Sequence, residues 1–545
     1  MNKSLSLIQE LFSIRNQFGK KYTAQKIRLL TALASENVST KKAIHTYYDC
    51  LLFVIAYPDN QAVYNLARHS LQQLELYIQS HKKIKDSLYN SGIARTELCA
   101  AFSFEIVKWM RKNFPDAISL NSFDANDVQI RSILTVVMPR IESEILQDEN
   151  ENWKTWLKQT MNKGEELLDR LIAIFNETDI RPEIRDELWG ALGLNVEIKF
   201  SSHACLPALL IKPYYHHSLI KRAVWIQRDV KSVKVDLSEK EAAQIIATAR
   251  MILIQHLREI DPITFTGNSY VSYYHLPRGI SIALMGMVPD RRTPIDCYIG
   301  YMVFKNGLPV AYAGSWILFD SGRIGLNIFP AYRGGESKYI FEDILNLHKS
   351  VYRLNRFTVD PYQVGKENSD GIHSGAFWIW YHAGFRPMRK EQQQLAKKEE
   401  LKIKTVRGYR SPDAVLKKLA DSRMELVLQK KPVRFDATDL SRVFAAILKI
   451  KYNNDHKIAR NDTFIRLAKM LKVKNYHEQE IQFILKNWCV LLLNSKQQEF
   501  SNSLKKNLKK LFELKAKGSE EEYIRLLQRS GELKKIMEKI FNTVS

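Results

Sequence analysis

The stretch "NIFPAYRGGESKYIFEDIL", Asn327 to Leu345, begins as a β-strand and ends as an amphipathic helix, with Arg333, Gly334, Gly335 and Glu336 at the joint. A strand that passes through a glycine-rich turn into a helix offers several backbone N–H groups, and the positive end of a helix dipole, to an anion such as a phosphate. Two adjacent glycines also suit a plain tight turn, because glycine takes positive φ freely. The surroundings of the joint decide between these readings.

Upstream of the joint lie four strand candidates, "GISIALMGM", "CYIGYMVF", "PVAYAGSWILF" and "IGLNIFP". The last three are linked by Lys305-Asn306-Gly307 and Asp320-Ser321-Gly322, which is hairpin chemistry and predicts an antiparallel meander. Before them, Ser238 and Glu241 form a capping box ahead of Ile245, Ala249, Ile252 and Leu253, which predicts a helix. Downstream come a helix over about 337–350, the strand "RFTVDPY", the polar loop "QVGKENSDGIH", the short helix "SGAFWIWYHA", the turn "GFRPM" and a last strand in "SRMELVLQ".

Further out the texture is helical. In "NQAVYNLARHSLQQLELYI" the residues Val63, Leu66, Leu71, Leu74 and Ile78 recur at helical spacing, and "ETDIRPEIRDELWGAL" offers Asp179 as a cap with Pro182 in the first turn. These patterns predict an all-helical N-terminal domain over 1–192. "LNVEIKF" and "AVWIQ" mark a strand-containing connector over 193–239, the meander and its neighbours form a domain over 240–435, and helices fill a basic C-terminal region over 436–545. The charged segment "RKEQQQLAKKEELKIKTVRGYR" reads as a solvated surface helix. The expected fold class is α+β: a mixed sheet with flanking helices, between mainly helical regions.

The order of elements across roughly 240–430 resembles the GNAT superfamily of acyl-CoA-dependent N-acyltransferases. In that family the turn after the fourth strand reads approximately P-x-Y-R-G-x-G-x-G/A, and its amides hold the pyrophosphate of acyl-CoA. Pro330, Tyr332, Arg333 and Gly334 match, Gly335 is an added glycine, and Glu336 and Lys338 stand where glycines are expected. A carboxylate at Glu336 would repel phosphates unless it turns outward or caps the helix. A second block, "HSGAFWIWYHAGFRP", resembles the family's N-x-x-A-x-x-x-Y-x-x-x-G-F segment. His373 falls on the asparagine, Ala376 on the alanine and Trp380 on the tyrosine that serves as general acid. Tyr381 is displaced by one position, about 100° around a helix.

The resemblance implies acyl-CoA or acetyl-CoA as co-substrate, held by Asn327, Ile328, Phe329, Arg333, Gly334 and Gly335, and an amine acceptor whose identity the sequence does not name. Acyl transfer from a thioester to an amine needs a positioned thioester, a polarised carbonyl and a base for the ammonium proton. Tyr381 and Tyr362 are candidate proton donors, and Glu367, Asp370 and His373 are the candidate bases. His373 reads more readily as a helix-start hydrogen-bonding residue than as a base, and Asp370-Gly371 reads equally well as turn chemistry. Two alternatives remain: a non-catalytic nucleic-acid- or protein-binding protein on a degenerate domain of this kind, and a transferase that uses aminoacyl-tRNA.

Charge keeps nucleic acid among the expected partners. The 545 residues hold 82 Lys and Arg against 59 Asp and Glu, a net charge of +23. In "NSLKKNLKKLFELKAKG" the leucines Leu504, Leu508 and Leu511 share one helix face, and Lys505, Lys506, Lys509 and Lys510 flank it. Five scattered cysteines without a CxxC pattern argue against a disulfide scaffold or a zinc site, and His216-His217 has no carboxylate at ligand spacing. No nucleophile elbow, P-loop or kinase signature occurs. Glu10 and Arg15 interrupt any secretory signal and no apolar run reaches a membrane span, so a cytoplasmic protein is expected.

Overall fold

A computed structural model describes residues 3–148, 150–200, 213–220, 231–429, 432–473, 479–493 and 500–544. The expected strand "AVWIQ" lies outside them. The chain divides into two compact units, one of residues 1–218 with 244–259 and one of 219–243 with 260–545.

The first unit is mainly helical. In the helix Gln61–Ser80, Asn60 accepts the N–H of Val63; of the residues the spacing predicts, Val63, Leu74 and Ile78 are buried, while Leu66 and Leu71 are half-buried. The later helix Pro182–Leu192 has Pro182 in its first turn, but its N-cap is Arg181 and not Asp179. The expectation of helix throughout 1–192 is corrected by strands β1 (Leu98–Ala101) and β2 (Ile118–Phe123). Both pair antiparallel with β3 (Leu194–Ile198), the strand that "LNVEIKF" predicts. Both are short, and neither alternates cleanly between buried and exposed positions, so neither carries a period-2 signal. Their burial comes from Trp153, Phe175 and Trp189, which fill the core beneath them.

The second unit is built on a ten-stranded mixed sheet. Its strands are β4 (Val233–Val235), β5 (Val271–Leu276), β6 (Ile280–Met285), β7 (Cys297–Lys305), β8 (Leu308–Leu318), β9 (Ser321–Ile324), β10 (Asn327–Ile328), β11 (Arg356–Val359), β12 (Arg386–Pro387) and β13 (Met424–Val427). The order is β12-β13-β11-β9-β8-β7-β6-β5-β4, and β10 pairs with β8. The chain is thus α+β, with helical regions on both sides of the sheet in sequence. β6 to β9 contain the expected meander; β5 adds an antiparallel strand before it that was not expected, and the candidate "IGLNIFP" is divided between β9 and β10. Asn306 and Gly307 take φ of 47° and 82°, the left-handed pair that a two-residue hairpin turn demands. The next hairpin turns at Phe319, φ 53°, and not at Ser321-Gly322. Gly322 sits inside β9, where a Cβ would stand 2.7 Å from Leu354.

β9 and β11 are parallel, so their connection must cross over the sheet, and the helix Ser337–Tyr352 makes that crossing. It buries Phe341, Ile344, Leu345 and His348 on the face that carries Ser315. The helices after residue 436 belong to the same unit as the sheet. Nη1 of Arg292 donates to the carbonyls of Lys515 and Gly518 at 3.1 and 2.8 Å, a cation meeting the carbonyl end of the helix Asn502–Lys517. Trp488 and Tyr523 donate to the carbonyls of Pro294 and Ile295. Lys515, expected on a basic helix, is buried against Glu520 at 2.8 Å.

Candidate functional site

The joint lies where two neighbouring strands part. β9 pairs with β8 on one edge and β11 on the other, but the β11 register ends at Arg323, and β10 keeps only β8. By the antiparallel register Gly325, Asn327 and Phe329 turn their N–H groups toward β8, as the bonds from Gly325 to Gly314 and from Phe329 to Val310 confirm. Leu326 and Ile328 point to the opposite edge. The Leu326 amide donates to Oε1 of Gln363 at 3.1 Å, and Ile328 has no acceptor among the described residues. Of the three strand residues expected to meet a ligand through the backbone, Ile328 is the one whose amide is available. Asn327 and Phe329 spend theirs on the sheet.

Pro330–Tyr332 form a single 3-10 turn, Gly334 takes φ 87°, and the helix begins at Ser337 with no side-chain cap. A left-handed φ at that point is a conformation that glycine adopts at little cost. The N–H groups of Gly334, Ser337 and Lys338 have no acceptor among the described residues. The Gly335 amide is turned back onto the Tyr332 carbonyl at 3.2 Å. Nη2 of Arg333 reaches Oδ2 of Asp370 at 2.9 Å, with both side chains well exposed, so this pair contributes little to stability and can exchange partners.

Glu336 neither turns outward nor caps the helix with its side chain. Its carboxylate is fully buried, accepts from Nζ of Lys305 at 2.9 Å and Nε of Arg278 at 3.0 Å, and takes the N–H of Ile220 at 3.0 Å. Burial by itself would raise its pKa, but the Lys305 charge and these hydrogen bonds outweigh that and hold it below the ordinary carboxylate value. Burial pulls Lys305 down to about 8 against the opposing pull of Glu336. The negative charge in the joint is therefore matched from beneath by two cations. Arg278 and Lys305 were not foreseen. They lie 58 and 31 residues from Glu336, and no local pattern links them to it.

Among the described residues the expected catalytic residues Tyr381, His373 and Glu367 share no hydrogen bond, and Tyr381 and His373 face other partners. The Tyr381 hydroxyl donates to Oε2 of Glu400 at 2.9 Å, and Arg386 stacks on its ring at 4.0 Å. Burial and the Glu400 contact raise its pKa, which keeps the phenol protonated but commits its proton to a neighbour. Trp380, at the aligned position, packs edge-on to Phe341 and Phe385 at 4.6 and 5.0 Å and is core. His373 is 71% exposed, with Asp413 4.0 Å away, and Glu367 is an exposed turn residue at φ 55°.

A serine–histidine pair does occur in this unit. Ser315 Oγ lies 3.1 Å from Nε2 of His348, whose Nδ1 lies 2.8 Å from the Ile344 carbonyl. Nδ1 therefore carries the hydrogen and Nε2 accepts from the hydroxyl. The arrangement resembles an activated nucleophile, but both residues are sealed in the core at 1% and 0% exposure, so no substrate reaches them. His216 is likewise a packed residue, with its ring against Tyr57 and Tyr214. Among the described residues no group of His, Cys, Asp and Glu is placed to hold a metal, and no helix is long and apolar enough to cross a membrane.

Comparison of the chain with protein families, with curated proteins and with solved structures finds no match.

Proposed function

We propose that the chain binds acyl-CoA or acetyl-CoA at the joint and transfers the acyl group to an amine, as an N-acyltransferase. The observation that carries this reading is the burial of Glu336 against Lys305 and Arg278. It offsets the one charge in the turn that would oppose a phosphate. Beside it stand the amides of Gly334, Ser337 and Lys338, without acceptors among the described residues, at the start of a 16-residue helix. A pyrophosphate there would meet three N–H donors and the helix dipole, and Arg333 could leave Asp370 to add a charge-assisted contact. The Ile328 amide at the parted strand edge would take the next polar group of the same ligand.

A second reading rests on a different observation: Tyr381 is tied to Glu400, and Glu367 and His373 are exposed and make no hydrogen bond to it. On that reading the unit binds a ligand or a nucleic acid without catalysis, and an aminoacyl-tRNA donor falls between the two. Native mass spectrometry of the purified full chain separates them. Bound CoA or acyl-CoA supports the transferase, whereas bound tRNA or an empty protein overturns the acyl-CoA reading.

A further inference from the structure

The sheet face turned away from the helix Ser337–Tyr352 carries a cavity of about 270 Å3. At roughly 30 Å3 of liquid volume per water, that is room for a small metabolite and far more than a single solvent molecule needs. Its floor consists of two rows of cross-strand neighbours. Trp316, Arg323 and Thr358 run across β8, β9 and β11, and Leu318, Ser321 and Arg356 run beside them. The first turn of the helix Ala437–Tyr452 forms a wall.

Four arginines, Arg323, Arg356, Arg423 and Arg434, and three aspartates, Asp296, Asp436 and Asp439, line it, and their existing partners decide what the cavity can take. Arg356 is committed: its Nε donates to Glu425 at 2.8 Å. Arg423 bridges Asp360 and Asp436 at 3.2 and 3.1 Å. The Asp436 and Asp439 carboxylates are also spent on each other's backbone N–H groups as a capping box. Arg323 is different. Its guanidinium lies over the Trp316 ring at 4.5 Å, Nη1 approaches Asp360 at 3.4 Å, and its buried Nε has no acceptor among the described residues. The cross-strand neighbour Thr358 has a hydroxyl without a partner among the described residues. Buried N–H groups of charged side chains are rarely left unmet in native proteins. A guanidinium whose plane is fixed on an indole presents its Nε and Nη2 as a fork that matches the two oxygens of a carboxylate or phosphate.

We propose that this cavity binds a small oxyanion, a carboxylate or a phosphate monoester, gripped by the free edge of Arg323 with the Thr358 hydroxyl as a neighbouring donor. Trp316 gives the organic part of the ligand a flat apolar surface. This site does not rest on the acyl-CoA reading, because it uses none of the residues of the joint.

Isothermal titration of the full chain with inorganic phosphate and, separately, with malonate tests it and distinguishes the two sources of oxyanion. One of the two probes is expected to bind with a Kd of about a millimolar or tighter. Arg323→Met is expected to weaken that binding roughly tenfold or more. Arg323→Lys, which keeps the charge but loses the fork, and Thr358→Val are each expected to weaken it about threefold. Gly334→Val is expected to leave it unchanged. Circular dichroism of the unliganded variants reports folding, and should Arg323→Met fail to fold, the Lys and Val variants decide. The proposal is overturned if neither probe binds the parent, if Arg323→Lys and Thr358→Val bind as tightly as the parent, or if binding is lost only in Gly334→Val.

Discussion

Nζ of Lys305 stands 2.9 Å from Oε2 of Glu336, and neither side chain is reached by solvent. A buried pair of this kind costs desolvation that its own attraction barely repays, so its net worth is small, but the loss of one partner is severe. Lys305→Met is expected to destabilise the protein by about 3–5 kcal/mol, because it takes one of the buried cations from the Glu336 charge. Adding Glu336→Gln removes the stranded charge and is expected to recover part of that loss. Urea unfolding of the two single variants and the double variant measures the coupling, and strictly additive effects would show that the pair does not act as a unit.

His348 predicts a specific acid sensitivity. Burial lowers its pKa from 6.5 to about 4, so the folded protein keeps it neutral while the unfolded chain takes up a proton as pH falls below 6.5. The unfolded state then binds more protons, and stability falls as pH drops from about 6.5 to about 4, by on the order of 3 kcal/mol from this group. Above 6.5 its contribution is level. A His348→Gln variant is expected to lose this part of the slope, and an unchanged slope would contradict the assignment.

Tyr381→Phe separates a structural tyrosine from a catalytic one. The bond to Glu400 predicts a loss of about 1 kcal/mol in stability and unchanged affinity for CoA. A fall in kcat of roughly tenfold or more with CoA affinity unchanged would return Tyr381 to the role of proton donor.

Some of this was legible in the sequence. The Ser238–Glu241 capping box forms in both directions, with Glu241 N–H on Ser238 Oγ at 3.3 Å and Ser238 N–H on the Glu241 carboxylate at 2.9 Å, because its atoms lie within one turn of chain. Asn306-Gly307 likewise carries its own left-handed geometry. The second hairpin slipped from Gly322 to Phe319 because Gly322 answers to Leu354, 32 positions downstream, which local turn chemistry does not contain. The joint was visible as a turn, but not the fate of its charge. Whether Glu336 repels or is matched depends on Arg278 and Lys305, which the sheet alone brings to it. The arginines of the cavity, Arg323, Arg356, Arg423 and Arg434, are scattered over 112 positions for the same reason.

The second reading makes its own prediction. If the exposed lysines of the basic helices hold nucleic acid, apparent affinity for duplex DNA falls by roughly 0.9 log units per log unit of salt for each phosphate neutralised. Lys515 takes no part, since it is buried on Glu520. Filter binding across a salt series measures the slope, and undetectable or salt-insensitive binding to DNA and RNA at low ionic strength removes this reading.

The most direct test of the central claim, that the amides at the joint hold the pyrophosphate of acyl-CoA, is the thermal shift that CoA and acetyl-CoA produce in the parent protein and in Gly334→Val. A ligand that binds only the folded state at a hundred times its Kd stabilises it by about 2.7 kcal/mol, which is readily seen. Valine at a φ of 87° strains the turn and lowers the unliganded Tm, so each shift is read against its own unliganded protein. The account predicts a clear upward shift in the parent and none in Gly334→Val. No shift in the parent, or an equal shift in both, would contradict it.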